Sequence, residues 1–183
     1  MLYTGKGDKG KTGLFGCNQK ISKSSAIAEA LGSLDECNSF LGIVKIRSKG
    51  LGFRVEGLEF GQIIHEIQQN LFIIQAELAG APKTIEESKL REVEKIINGI
   101  ETKLPPIKSF FISGGSELAA TFDFARTLAR RAERRVVAVV ENEDRKMGEW
   151  SLAYINRLSS ILYALARLSN HRAGIGEESP TYK

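Results

Sequence analysis

Five arginines fall within ten consecutive residues of the chain: Arg126, Arg130, Arg131, Arg134 and Arg135. On a helix, Arg126, Arg130 and Arg134 lie on one side, because residues four apart are neighbours. Like charges at that spacing repel by about 0.2 to 0.5 kcal/mol per pair, so an unpaired stripe costs stability. We therefore expect anions beside it. They are either carboxylates of the same chain, with Asp35 and Glu36 as candidates, or phosphates, which suit the planar arginine fork.

Two further polar side chains extend this pattern. Glu133 shares the side of the helix that carries Arg130 and Arg134, which indicates a connected polar cluster more than a uniform nucleic-acid patch. Asn156 lies beside the apolar seam of a later segment. It makes either an ordinary polar contact between helices or, if it faces Arg130, part of the same site.

The N-terminus is rich in glycine and lysine. Residues 5–12, GKGDKGKT, match both the dinucleotide pattern GxGxxG and the P-loop pattern GxxxxGK[ST]. Both patterns need a buried strand before them and a helix directly after them, and the sequence predicts neither. What remains is local chemistry, because closely spaced glycines let backbone N–H groups converge on an anion. The alternative is a flexible basic tail.

The rest of the chain predicts five amphipathic helices. Apolar residues recur at helical spacings of three, four and seven over residues 27–44, 60–78, 90–100, 118–140 and 154–168. No segment alternates with period two over a useful length. Seams of this kind predict an all-α, antiparallel five-helix bundle with shallow crossing angles, preceded by a glycine-rich loop.

Composition sets outer limits on the function. The chain has 183 residues, of which 42% are hydrophobic and 26% charged, with a net charge of +4; this predicts one globular domain. The two cysteines form no disulfide framework, and the two histidines lie at no ligand spacing from them, so no metal ligand is predicted. No apolar run reaches the roughly 18 to 20 residues of a membrane span, and no secretory signal is visible. We expect a cytoplasmic protein that does not bind membranes.

Four sequence blocks resemble the PduO-type ATP:cob(I)alamin adenosyltransferases. They are TGKGDKGKTGLFG, EALGSLDECNSFLG, FFISGGSELAATFDFARTLARRAERR and YINRLSSILY, in the order of the family. The resemblance implies a single ferritin-like domain over residues 1–183. Within it, residues 1–23 would form an ATP-binding loop, residues 24–172 the helical bundle and residues 173–183 a C-terminal tail. It further implies a homotrimer with active sites between subunits, which uses ATP, Mg²⁺ and a corrinoid.

The resemblance also implies roles for individual residues. The residues that would wrap the triphosphate are Thr4, Gly5, Gly7, Asp8, Gly10, Thr12 and Lys23. Those that would complete the nucleotide site are Arg130, Glu133, Arg134 and Asn156. Asp35 and Arg126 resemble the intersubunit salt bridge of the family at the corrinoid end. Phe110 occupies the position of the aromatic residue that closes the lower face of the corrin. The predicted catalytic residues are Asp35, Phe110, Arg126 and Arg130.

The function that follows is transfer of the 5′-deoxyadenosyl group of ATP to cob(I)alamin, which yields adenosylcobalamin and triphosphate. Cob(II)alamin, a reductase and a cobalamin-dependent acceptor enzyme are further expected partners. Triphosphate leaves with at least four negative charges, which an arginine-rich helix can stabilise. Two alternatives stay open: a nucleic-acid-binding helical domain that uses residues 126–135, and a P-loop phosphotransferase. Glu133 and the unbroken apolar seam of the arginine-rich segment argue against nucleic acid.

Overall fold

The computed structural model describes residues 2–14, 20–142 and 145–182. Within these ranges it contains five α-helices, which are α1 (Ala26–Ser48), α2 (Phe60–Leu78), α3 (Glu87–Glu101), α4 (Glu117–Glu141) and α5 (Glu149–Arg172). The predicted five-helix bundle is therefore confirmed, with each helix at its predicted place.

Two short hairpins accompany the helices. Strand β1 (Lys11–Gly13) pairs antiparallel with β2 (Lys20–Ser22), and β3 (Arg54–Val55) pairs antiparallel with β4 (Leu58–Glu59). The sequence predicted no strands, because segments of two or three residues are too short to show a period of two. The first hairpin stiffens part of the N-terminal segment that was predicted as a loop.

Cross-helix contacts fix the directions of the helices. Glu29 faces Arg135 while Arg47 faces Glu117, so α1 and α4 run antiparallel. α3 packs against α5, and since Ile85 contacts Ser151 while Glu94 contacts Arg157, these two neighbours run in the same direction. The helices alternate in direction along the chain, and their order across the bundle is α2, α1, α4, α5, α3.

The apolar seams of the five helices form one core. Fully buried residues come from every helix, for example Leu34, Ile67, Ile100, Phe122 and Leu165, each 0 to 1% exposed. Each buried aliphatic or aromatic side chain of this size contributes about 1.5 to 3 kcal/mol relative to its exposed state. None of the helices in the described ranges combines the length and the apolarity that crossing a bilayer requires.

Helix α4 begins at a glycine turn. Gly114 and Gly115 have φ of 116° and 99°, values that side chains with a Cβ rarely adopt. The hydroxyl of Ser116 then accepts a hydrogen bond of 3.2 Å from the backbone N–H of Ala119, so Ser116 is the N-cap. This turn sets the point at which the arginine-bearing helix leaves the preceding loop.

Burial makes the thiol of Cys37 unreactive. Its side chain is 0% exposed in α1, and this burial raises the pKa of the thiol to about 12. Because the thiolate is the reactive form, we expect Cys37 to resist a thiol reagent at pH 8 until the protein unfolds. The measurement is labelling of a Cys17→Ser variant with and without denaturant. Rapid labelling of the folded variant would contradict the burial.

Candidate functional site

A cleft of about 750 Å³ opens between α4, α5 and the loop that precedes α4. We call residues 105–116 the Phe110 loop. Its residues Phe110 and Phe111 line the cleft with aromatic surface, while Arg126 and Arg130 of α4 supply positive charge. Ser160 of α5 also lines the cleft. The cleft therefore joins an apolar surface to a cationic one.

Phe110 is 80% exposed, although it is a large aromatic residue. Its neighbour Phe111 is half-buried and lies under the guanidinium of Arg167, which is 5.4 Å from the centre of the ring. A role for Phe110 in packing the loop onto the core is therefore excluded. The ring is available to a ligand in the cleft.

Arg126 is half-buried at the wall of the cleft. Its Nε lies 3.5 Å from Oδ1 of Asp123 but makes no aligned hydrogen bond within the described residues, and its guanidinium lies 5.9 Å from the centre of the Tyr163 ring. Asp123 also accepts a hydrogen bond of 3.0 Å from the backbone N–H of Gly114. Asp123 thus links Arg126 to the Phe110 loop.

The other four arginines of α4 divide into two pairs. Arg131 forms an ion pair with Glu36, and Arg135 lies 3.4 Å from Glu29, both partners being on α1. Arg130 and Arg134 are exposed and have no hydrogen bond or ion pair among the residues that the structure describes. Arg131 and Arg135 therefore use carboxylates of the same chain. Glu36 was predicted as a candidate partner of the stripe Arg126, Arg130 and Arg134, but it pairs with Arg131 beside that stripe. Arg130 and Arg134 remain available to an outside anion.

Asn156 of α5 contacts α4 through Glu133, which lies between Arg130 and Arg134 in sequence. Its Nδ2 donates a hydrogen bond of 2.8 Å to Oε1 of Glu133 on α4. Arg157 fixes the carboxamide from the other side, because its Nη1 donates to Oδ1 of Asn156 at 3.1 Å while its Nε donates to Glu94 of α3. Hydrogen bonds from Arg91 and Arg157 hold the pKa of Glu94 below its ordinary value. Asn156 is exposed, so it belongs to a surface cluster with Glu133.

The N-terminal segment forms a compact turn beside β1. The backbone N–H of Gly10 donates to the carbonyl of Gly7 at 3.1 Å, and that of Lys23 donates to the carbonyl of Gly10 at 2.9 Å. Gly5 and Gly10 have φ of 66° and 73°. A Cβ at Gly7 would lie 3.1 Å from Nζ of Lys23, so the ammonium group rests directly on the turn.

The remaining N-terminal candidates belong to the same turn. The backbone N–H of Asp8 donates to the carbonyl of Gly5 at 3.2 Å, and the hydroxyl of Thr4 lies 3.4 Å from the backbone nitrogen of Lys6. Thr12 lies in β1, opposite Ile21. The seven residues predicted to wrap a triphosphate are therefore gathered in one hairpin with its preceding turn.

Asp35 lies on a different surface from Arg126. It is exposed on α1 and lines a groove of about 430 Å³ together with Leu14 of the N-terminal segment and Phe72 and Gln75 of α2. Among the described residues, no hydrogen bond or ion pair joins Asp35 or the N-terminal hairpin to Arg126 or Asn156. The predicted pair of Asp35 with Arg126 is thus not formed within one chain.

The predicted site residues consequently form two groups on two faces. We call residues 4–14 and 20–23 together with Asp35 the N-terminal half-site. The C-terminal half-site consists of Phe110, Arg126, Arg130, Glu133, Arg134 and Asn156. Sequence reasoning missed Asp123, although it stands three residues before Arg126, where a helical ion pair is expected. It also missed Tyr163, for which the sequence offered no signal.

The fold and the two half-sites define a helical-bundle protein with a cationic, aromatic-walled cleft suited to a large anionic ligand. The chain belongs to the cobalamin adenosyltransferase family, whose model matches residues 2–169. This confirms the resemblance found in the sequence.

Named relatives agree with the family assignment. A corrinoid adenosyltransferase of Bacillus subtilis (strain 168) is 39% identical over 181 residues, which cover 96% of this chain and 90% of the relative. The PduO corrinoid adenosyltransferase of Citrobacter freundii is 39% identical over 94% of this chain, and the match spans 50% of that longer relative.

Solved structures agree as well. A variant of the PduO-type ATP:corrinoid adenosyltransferase of Lactobacillus reuteri, complexed with cobalamin and ATP, has a TM-score of 0.87 and 29% identity, over 100% of this chain and 97% of that chain. Another variant of the same enzyme, complexed with ATP, has a TM-score of 0.85 and 29% identity, over 98% and 99% of the two chains.

The exposure of Phe110 leads to a stability prediction. Phe110→Ala should leave the melting temperature and the free energy of unfolding almost unchanged, because an 80% exposed ring contributes little to the core. The matched control is Phe122→Ala on α4, where the same truncation removes a 0% exposed ring and should cost about 3 to 5 kcal/mol. Chemical denaturation of both variants measures the difference. A similar loss of unfolding free energy in both variants would show that Phe110 packs in the core.

Proposed function

We propose that this chain transfers the 5′-deoxyadenosyl group of ATP to the cobalt of cob(I)alamin and releases triphosphate. The observation that carries the proposal is the pair Arg130 and Arg134, exposed and without a partner in the described part of the chain, next to an aromatic-walled cleft of about 750 Å³. The cleft suits a large, flat ligand such as a corrin, and the arginines suit a polyphosphate. The family and the ligands named for the Lactobacillus reuteri structures support the same reaction.

The chemistry needs little from the protein beyond charge and position. The electron pair of Co(I) attacks the ribose 5′-carbon, the bond from that carbon to the phosphate oxygen breaks, and triphosphate leaves with the electrons. Arg130 and Arg134 stabilise the negative charge that develops on the leaving group. Glu133 and Asn156 hold each other at 2.8 Å and present a fixed polar surface to the nucleoside. Cob(I)alamin is itself a strong nucleophile, so the site needs no activated side chain.

Mg²⁺ fits the site as a companion of the triphosphate. Among the described residues no three His, Cys, Asp or Glu side chains gather into a metal site. The ion would bind phosphate oxygens of the nucleotide, as is usual for Mg²⁺ in nucleotide sites. The ion would neutralise part of the phosphate charge.

Phe110 acts on the corrin. Its exposed ring would lie against the lower face of the macrocycle and keep water or a base away from the lower axial position of cobalt. Loss of that ligand makes cob(II)alamin easier to reduce, since axial ligation is one of the main controls on the potential of a macrocyclic metal. A reductase supplies the electron, and a cobalamin-dependent enzyme accepts the product. We propose that this chain meets both proteins in the cytoplasm.

The active site is completed between two subunits of a homotrimer. Two observations support this arrangement: the half-sites lie on different faces of one chain, and no described contact joins them. Asp35 has no described partner, and Nε of Arg126 makes no aligned hydrogen bond in the described structure. Across an interface, Asp35 would pair with Arg126 at the corrinoid end, while the N-terminal hairpin would cover the triphosphate held by Arg130.

The two alternative functions are less well supported. Nucleic-acid binding needs the arginines of α4 to act as one patch, but Arg131 and Arg135 already face Glu36 and Glu29. A P-loop phosphotransferase needs a parallel sheet, whereas the described strands form only two-stranded antiparallel hairpins. We therefore propose neither nucleic-acid binding nor phosphate transfer for this chain.

The direct test is product analysis. Under anaerobic conditions with ATP, Mg²⁺ and chemically reduced cobalamin, we expect the corrin spectrum to change to that of adenosylcobalamin and triphosphate to appear in equal amount. A phosphotransferase would instead release ADP or transfer phosphate, and a nucleic-acid binder would turn over nothing. Heat-denatured protein is the control. Either alternative product pattern would reject the proposal.

The two half-sites should respond differently to mutation. Arg130→Ala removes a charge-assisted contact to phosphate worth about 1.5 to 3 kcal/mol, so ATP affinity or turnover should fall roughly tenfold to a hundredfold. Asp35→Ala should instead weaken corrinoid binding with little change in ATP affinity. Calorimetry with ATP and titration with cobalamin measure the two effects. Equal losses of both affinities in both variants would contradict this division.

Co-expression of these two variants tests the intersubunit site. If each site takes its half-sites from different chains, random trimers of Asp35→Ala and Arg130→Ala subunits contain an intact site at about one position in four. Activity should recover to about a quarter of the parent. Co-expression of Phe110→Ala with Arg130→Ala should restore nothing, because both changes lie in one half-site. Absence of recovery in the first mixture would place both half-sites within one chain.

A further inference from the structure

The C-terminal segment after α5 folds back onto the Phe110 loop. The backbone N–H of Ile112 donates to the carbonyl of Glu178 at 2.8 Å, and the hydroxyls of Ser109 and Ser179 lie 2.7 Å apart. These two contacts flank Phe110, one on each side in sequence. The loop therefore owes its local conformation partly to a segment that is 70 residues further along the chain.

A buried arginine of α5 joins the two segments. Arg167 is 7% exposed, and its Nε and Nη2 donate to the two oxygens of Glu177, the second at 2.7 Å. Nη2 also donates to the carbonyl of Pro105 at 2.9 Å, at the start of the loop. Charge-assisted forks of this kind are among the stronger hydrogen bonds of proteins and fix geometry as well as distance.

The far end of the loop is attached one helical turn away. The side chain of Asn170 donates to the carbonyl of Gly114 at 2.7 Å and accepts from the backbone N–H of Ser116 at 2.8 Å. A Cβ at Gly115 would lie 2.6 Å from Oδ1 of Asn170, so the contact also depends on glycine. Arg167 and Asn170 thus hold the two ends of the loop from adjacent turns of α5.

Phe110 itself contributes nothing to this anchoring. Its ring is 80% exposed, and among the described residues it makes no ring contact with another aromatic side chain. The position from which the ring projects into the cleft is therefore set by the backbone of the loop, which the contacts of Arg167, Asn170 and the C-terminal segment hold.

We propose that Glu177, acting through the Arg167 guanidinium, is a positioning residue that holds the Phe110 ring in place for the corrin. The inference rests on the proposed function for its effect on turnover, but its effect on the loop is independent of any ligand. When the fork is lost, the loop keeps its Asn170 end and releases its Pro105 end. The loop backbone, and with it the ring, then samples many positions, while Arg130 and Arg134 on α4 stay unaffected.

The test compares two neighbouring glutamates. Glu177→Gln removes the charge of the fork at nearly constant volume, and Glu178→Gln is the matched control, because Glu178 is exposed and contributes its backbone carbonyl to the loop. Hydrogen exchange of the free protein reports on the loop. In Glu177→Gln the amide of Ile112 should exchange about tenfold faster or more, as expected for loss of a charge-assisted contact. The control should stay within about twofold of the parent.

Turnover from cob(II)alamin provides the second readout. Glu177→Gln should raise the KM for the corrinoid about tenfold, while the Kd for ATP stays within about twofold. Arg167→Lys keeps the charge but loses the planar fork. It should therefore also raise the KM for the corrinoid without changing the Kd for ATP, by a smaller factor, and it replaces Glu177→Gln in the test if that variant folds poorly.

Distinct results would overturn the proposal. Parental exchange at Ile112 in both variants would show that the fork does not hold the loop. Faster exchange with a parental KM for the corrinoid would show that it does not position the ring. Equal losses of thermal stability, ATP affinity and corrinoid affinity would reduce Glu177 to a general structural role. If the parent protein makes no adenosylcobalamin, the proposed function fails, while hydrogen exchange still decides whether Glu177 holds the loop.

Discussion

Repulsion between arginines on α4 is the constraint around which the structure is arranged. The helix must bury an apolar seam against α1 and α5, so its charged residues are confined to the edges of that seam. Glu36 and Glu29 of α1 offset the charge of Arg131 and Arg135. Arg130 and Arg134 are exposed and form no ion pair with a carboxylate among the described residues. The helix is thus stabilised along one edge and left with excess positive charge along the other.

Much of this arrangement is readable from the sequence because it is local. Helix α4 reveals its seam and its basic edge through spacings of three and four residues. Glu36 could be named in advance as a carboxylate near that edge, although it pairs with Arg131 and not with the predicted stripe. The same logic gave all five helices. Helical spacing singled out the arginines, Glu133 and Asn156, whereas the role of Phe110 came only from the family motifs.

Other features depend on contacts between distant segments and left no local signal. Asn170 lies 54 residues from the backbone of Ser116, which it holds, and Arg167 lies 62 residues from Pro105. On the sequence alone both read as polar interruptions in the last turns of α5. The two hairpins were missed for a different reason, because strands of two or three residues are specified by their turns and not by a hydrophobic pattern.

The exposure of Phe110 has a consequence for how this protein tolerates change over many generations. Gly115 and Asn170 are tied to the conformation of the chain, so variants at these positions are removed by misfolding before their activity is ever tested. Variants of Phe110 are not removed in this way, because the ring is exposed and does not stabilise the fold. A library screened for thermal resistance alone would accept polar residues at this position and yield robust bundles with a bare cleft. The residue proposed to lie nearest to the cobalt is therefore one that only selection for turnover can retain.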